Sequence, residues 1–259
     1  VSGQSSVISC GATSPLKVLA PRSRGPSVWT CLSSLGGGLV AGDETRLDIL
    51  LREHSRCFVG TQASTKVYRN SGQHACSHQL KAVLETGSVL VLAPDPVQPF
   101  AASTYSQRQE FHLQPGSGLV LVDWFSSGRA ACGERWAFTR LHSRNDVFIG
   151  DERLLVDSVL LDPAHGPLDG PHRMGRFNCL ALALIVGPPV RALAASALEA
   201  VATQPVTRRA PLVCSASPIG DGALLRFAGQ SVQDVGREIH RHLVPLSEML
   251  GDDPWERKW

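Results

Sequence analysis

The sequence predicts a mainly β fold, with a strand-rich, barrel- or sandwich-like body and a small C-terminal α/β portion carrying two or more helices. Three observations predict it. Short apolar runs recur at close intervals through the first 188 residues, separated by turn residues. Gly and Pro contribute 24 and 17 of the 259 residues, while charged residues make up only 19 %, below the roughly 25 % of an average soluble domain. After Pro189 the apolar spacing changes from alternate residues to the helical interval.

Residues 1 to 14 are rich in Ser and Gly, without periodicity, and read as a flexible lead-in. The strand-like runs follow at 16–20, 28–35, 46–51, 56–60, 78–84, 88–92, 106–113, 118–125, 135–141, 153–161 and 177–186. Pro94-Asp95-Pro96, Pro115-Gly116 and Ser127-Gly128 punctuate them. In the third run Leu47, Ile49 and Leu51 share one face and Arg46 and Asp48 the other, the pattern of a half-buried strand. Val190, Leu193, Ala194, Ala197, Leu198 and Val201 then predict a helix over 190–202. A hairpin is expected from 211–216 and 223–227 around Gly220-Asp221-Gly222. Ser231 stands as an N-cap before Val232, Val235, Ile239 and Leu243, the apolar face of a helical stretch over 231–250. One domain is expected over 15–259, with a β body at 15–188 and a helix–hairpin–helix portion at 189–259.

Composition excludes several function classes. The net charge is +2, the arginines are scattered, and the longest basic run is Arg208-Arg209, so the stripe that binds nucleic acid is missing. The longest uncharged apolar stretch, 179–186, falls far short of the ~20 residues of a membrane helix. Seven cysteines form no C-x-x-C pair and predict thiols in a reducing cytoplasm. The loop Gly36-Gly37-Gly38 to Gly42-Asp43 is no phosphate cradle, because Asp43 and Glu44 stand where a P-loop needs Lys and Ser/Thr. His74, Cys76 and His78 alternate and would share a strand face, a possible Cu, Zn or Ni ligand set. On that reading the chain is a metal-dependent enzyme or metal-binding β protein; on the other, the three sit incidentally in a loop. His240 and His242 do not share a helix face. Neither G-x-S-x-G nor H-E-x-x-H occurs.

Six strings occur in order: SLGGGLVAGD (34–43), TQASTKVYR (61–69), LAPDPVQPF (92–100), SSGRAACGERWAF (126–138), GRFNCLALALIVGP (175–188) and DPWERKW (253–259). Together they resemble the UreD (also UreH) urease accessory proteins from about residue 15 to the end. The resemblance implies a strand-rich, β-helix-like body with a few helices and no enzymatic activity. It implies a scaffold that works with UreF-type and UreG-type proteins, the latter a GTPase, to insert nickel into apo-urease. No permanently bound cofactor is implied, only transient Ni²⁺, carried in a proposed water-filled tunnel; two copies often assemble through UreF. Within the strings, Gly36, Gly37, Gly38, Gly42, Lys66, Tyr68, Arg69, Asp95, Arg129, Gly133 and Trp136 are expected in structural or partner-facing roles. Family members carry a further N-terminal strand region, so this chain, which begins at Val1, is expected to start late.

A metal in transit must be held weakly, which favours carboxylates and water over a closed thiolate and imidazole cage. Acids are costly to bury without such a purpose. Asp43, Asp123 and Glu134 are therefore the candidates for the nickel route, Glu134 foremost, with Lys66, Arg69, Arg129 and Arg135 as possible ion-pair partners.

Overall fold

The computed structural model describes residues 3–22, 25–70, 74–205 and 207–256; the last three residues of the DPWERKW string lie outside them. After β1 (Leu16–Leu19) the chain winds in three-strand rungs. The first comprises β2 (Val28–Ser34), β3 (Gly38–Leu39) and β4 (Glu44–Leu51). The second comprises β5 (Arg56–Thr61), β6 (Thr65–Val67) and β7 (Cys76–Leu84), the third β8 (Val89–Leu92), β9 (Val97–Pro99) and β10 (Thr104–Leu113). The fourth runs from β11 (Gly118–Ser126) to β12 (Arg140–Ile149).

Each strand pairs in parallel with its equivalent in the next rung, so Val28 lies opposite Cys57, Arg56 opposite Val89 and Val89 opposite Gly118. Strands β4, β7, β10 and β12 stack likewise into a second sheet. This is the β-solenoid that the resemblance implied. Strand spacing alone suggested a sandwich or barrel, because spacing does not reveal whether the next strand folds back or turns a corner into the other sheet.

Antiparallel strands complete both sheets. β13 (Glu152–Leu161) closes the five-stranded sheet beside β12, with a bulge at Val147/Phe148. β14 (Cys179–Val186), β16 (Gly222–Gly229) and β15 (Leu212–Ile219) extend the eleven-stranded sheet beyond β11. Helices α1 (Arg191–Ala202), α2 (Val232–Leu243) and α3 (Leu246–Leu250) supply the cover. Ser231 caps α2 as expected, its Oγ accepting from the Asp234 amide at 3.2 Å. The stretch 231–250 is two helices, parted at Val244-Pro245, where proline lacks the N–H needed to continue.

The larger sheet is buried on both faces in its C-terminal half, so β11 and β14 read as continuous apolar runs. Leu119, Leu121, Leu182 and Leu184 face the second sheet and pack with Leu80, Phe111 and Val147. Val120, Val122, Ala183 and Ile185 face outward, under Leu193 and Ala197 of α1 and Val235, Ile239 and Leu243 of α2. A third cluster lies at the short-strand corner around Leu39, Val67, Trp136 and Phe138.

The run expected as a strand at 135–141 is corrected. Its apolar residues Trp136 and Phe138 are buried, but the backbone there is loop, with Trp136 at φ 53°. The true strand, β12, begins at Arg140 and is hidden by its polar letters Arg144, Asn145 and Asp146. Strands β3, β6 and β9 are two or three residues long, too short for any periodicity to be read. Residues 3–14 form no strand or helix. Ser5 is nevertheless docked, its amide donating to Pro26 O at 2.8 Å and its Oγ accepting from the Arg56 amide at 2.9 Å. No helix among the described residues is long and apolar enough to cross a membrane.

Leu184 is fully buried between the sheets, whereas Val213 is 41 % exposed. Leu184→Ala should lower the unfolding free energy by about 2–5 kcal/mol. Val213→Ala should change it by less than about 0.5 kcal/mol, both read from denaturant titration.

Candidate functional site

Inward-facing positions on a strand recur every second residue, and in the middle of the solenoid they turn polar. In the five-stranded sheet Thr45, His78, Gln107 and Ser143 stand side by side in register. Two residues along, Gln109, Asn145 and Asp157 form a second polar row. Opposite them on β11, in the same alternation as Leu119 and Leu121, stands Asp123, only 6 % exposed.

Three donors hold its carboxylate. Oδ1 accepts from Gln107 Nε2 at 2.9 Å; Oδ2 accepts from Ser143 Oγ at 2.7 Å and Asn145 Nδ2 at 2.9 Å. Tyr105 braces the cluster from behind by donating to Gln107 Oε1 at 3.1 Å. All the donors are neutral, and among the described residues no cation pairs with the carboxylate. Burial therefore pushes the Asp123 carboxyl up from its ordinary range; the Asn145, Ser143 and Gln107 bonds pull it partly back, and the Asp157 charge adds to the rise. The Oδ1 of Asn145 is buried and unpartnered among the described residues.

Asp123 borders two cavities. One, of about 230 Å³, lies between the sheets and is lined by Ser34, Thr65, His78, Asp95 and Gln109. The other, of about 300 Å³, lies between the edge strands β13 and β15 and is lined by Asp157, Cys214, Ser215 and Arg226. At that end Asp157 accepts from Arg226 Nη2 at 2.8 Å. His78 faces the first cavity with its Nδ1 at 2.8 Å from Thr45 Oγ1. Burial lowers its pKa to about 4, so the imidazole is neutral near pH 7.

The other expected residues lie apart from this seam. Asp43 closes a turn with Gly42 at φ 83°, its Oδ2 accepting from the Val40 amide at 2.8 Å, and it lines neither cavity. Glu134, expected to line an interior route, is instead near the surface. Its Oε2 accepts from Arg129 Nε at 3.0 Å and its other oxygen from Arg129 Nη2, and the guanidinium holds the Glu134 carboxyl below its usual range. Of the three acids expected on the route, Asp123 alone lines these two cavities; an acid in a family string serves equally to set a turn or a surface ion pair. Among the described residues Arg135 pairs with no acid; its Nε donates to Asn178 Oδ1 at 2.6 Å and its Nη2 to Gly175 O at 2.9 Å.

The His74/Cys76/His78 ligand set is also corrected. Cys76 and His78 do alternate on β7, but His74 precedes the strand and is exposed. Cys76 is fully buried, its Sγ 3.0 Å from Val40 O and accepting from Asn70 Nδ2 at 3.2 Å. Among the described residues no three His, Cys, Asp or Glu side chains are grouped to hold a metal.

Most of the remaining family-string residues build the corner beside the first cavity. Gly38 is required by close approach, since a Cβ there would lie 2.6 Å from Lys66 O and 2.8 Å from the Tyr68 ring. Gly36 and Gly37 adopt φ of 82° and 73°, conformations open to glycine. Gly133 ends a short turn at φ 79°. Asp95 Oδ2 accepts from Thr61 Oγ1 at 2.8 Å, and Trp136 Nε1 donates to Phe177 O at 3.0 Å. Sequence reasoning missed Gln107, Ser143, Asn145 and Asp157. The available signal was amide and hydroxyl residues at the inward positions of Tyr105–Phe111 and Leu141–Val147, legible only once the inward face is known.

The His78 environment predicts a pH dependence. Its folded pKa of about 4 lies below the ordinary 6.5, so the unfolded chain binds the proton first and stability is lost as pH falls through that interval. Thermal melts should therefore drop between about pH 6.5 and 4, and the drop should be shallower in His78→Gln.

The family model described as "UreD urease accessory protein" matches residues 1–259. A Sorangium cellulosum protein named "Urease accessory protein UreD" is 46 % identical, over 100 % of this chain and 81 % of its own length. A namesake from Anaeromyxobacter is 38 % identical over 99 % and 86 % of the two chains. "Urease accessory protein D" of Oryza sativa subsp. indica is 31 % identical over 98 % and 92 %. With the family match extending over the rungs, the Asp123 seam and the helical cover alike, the chain belongs to the UreD family of urease accessory proteins.

Proposed function

We propose that the chain acts without catalysis of its own in inserting nickel into apo-urease, as a scaffold for UreF-type and UreG-type partners in the cytoplasm, and that the Asp123 seam carries the ion. The observation that carries this reading is the position of Asp123 against both cavities. An ion moving between them passes one buried carboxylate.

The donor set suits transit rather than storage. Nickel in passage meets single oxygen donors in succession: Gln109, Asp123 and, at the far end, Asp157. The unpartnered Asn145 Oδ1 stands beside Asp123 and can accept a metal-bound water. No three anionic or imidazole groups converge among the described residues, so nothing there would trap the ion. Without a cation, burial raises the Asp123 carboxyl above its ordinary range; an arriving divalent ion favours the carboxylate and opposes that rise. The reading as a metal-dependent enzyme built on His74, Cys76 and His78 has no comparable support.

The test is co-expression with UreF-type and UreG-type proteins and apo-urease, scoring complex assembly, nickel content and urease activity. Asp123→Leu should leave assembly intact and cut activation about tenfold, as expected for one lost charge-assisted contact of about 1.4 kcal/mol. Asp123→Asn should fall between Asp123→Leu and the wild type. Full nickel loading by Asp123→Leu would remove the seam from the route.

A further inference from the structure

The short-strand corner of the solenoid carries a surface that neither the fold nor the seam requires. A shallow cleft of about 640 Å³ is formed by Tyr68, Arg69, Phe100, Ala101, Arg129 and Ala137, with Glu134 at its side. Its floor is aromatic, since the Tyr68 ring meets Phe100 edge-on at 5.4 Å and the Arg129 guanidinium lies over the other ring at 4.4 Å. Tyr68 and Phe100 are only half-buried, and Arg69 and Arg129 are exposed.

The charge here is unbalanced. Arg129 is matched by Glu134, but Arg69 and the neighbouring Lys66 have no carboxylate partner among the described residues. Tyr68 OH reaches Gly36 O at 3.5 Å, and the next residue, Gly37, lines the first cavity. Exposed Leu35, at 52 %, flanks the same loop. Aromatic and arginine side chains around a small apolar floor are the chemistry of interface hot spots, and an excess of positive charge selects an acidic partner. A nucleic acid would require a longer basic track than these three side chains.

We propose that this cleft docks an acidic segment of a partner protein, an apolar side chain resting on Tyr68 and Phe100 and a carboxylate pairing with Arg69 and Arg129. Glu134 occupies part of the Arg129 fork in the free chain and so competes with that carboxylate. The partner would sit beside the opening of the first cavity. The inference rests on the accessory role above and supplies the partner's chemistry.

The experiment measures affinities of the full chain for purified UreF-type protein, UreG-type protein and apo-urease by calorimetry at two salt concentrations. Arg69→Glu and Phe100→Ala should each weaken one of the three complexes by at least about tenfold. The wild-type affinity of that complex should fall with added salt, and Glu134→Gln should bind it as well as the wild type or better. Arg69 is exposed and has no carboxylate partner among the described residues, so Arg69→Glu keeps the fold, and it decides the matter alone if Phe100→Ala fails to fold. Unchanged affinities in Arg69→Glu overturn the docking site, as does weaker binding in Glu134→Gln. So does loss of binding to anionic vesicles or duplex DNA in the variants without change toward the proteins. A wild-type chain that binds none of the three overturns the accessory reading as well, whereas a failure of Asp123→Leu to impair nickel loading leaves the docking site standing.

Discussion

A carboxylate placed between two sheets constrains everything around it. Stranded in an apolar interior, Asp123 would cost several kcal/mol, and among the described residues no arginine or lysine pairs with it. The structure answers with three neutral donors drawn from two strands, Gln107 on β10 and Ser143 and Asn145 on β12. Those strands must hold their mutual register, because a slip of one residue would turn one strand's donors outward and leave the acid short of partners. The parallel ladder from Thr104 opposite Arg140 to Leu113 opposite Ile149 is therefore coupled to the polarity of its own interior.

Around that seam the fold divides its labour. Leu51, Leu84, Leu113, Leu119, Leu121, Leu182 and Leu184 provide dry packing between the sheets, while the helices seal the outer face of the larger sheet through Leu193, Val235, Ile239 and Leu243. The two cavities beside Asp123 lie where polar side chains interrupt this packing. Buried polar groups retain water when they lack protein partners, and Asn145 Oδ1 is such a group. A polar seam and a packed core are thus built from one alternation, with amides and hydroxyls at some inward positions and leucines at others.

Family strings mark a second region with a different physical role. Gly38 lets the backbone pass close to Lys66 and Tyr68, and the loop from Gly128 to Trp136 brings Arg129 over Phe100. Residues distant in the chain meet because each rung returns to the same corner, so each turn of the solenoid adds one contribution to a shared surface.

The sequence by itself determined the β-rich body, the two amphipathic helical stretches, the Ser231 cap, the exclusion of a P-loop and the family resemblance. Local chemistry suffices for these: alternation, helical spacing, capping and missing phosphate ligands are properties of neighbouring residues. Only the tertiary structure decided that the strands stack in parallel rungs, that Asp123 lies buried while Glu134 pairs at the surface, and that His74 stands apart from Cys76 and His78. Each depends on which face of a strand points inward and which rung lies beside it. Those relations join Asp123 to Gln107, Ser143 and Asn145 across sixteen to twenty-two residues of chain, beyond the reach of any local pattern.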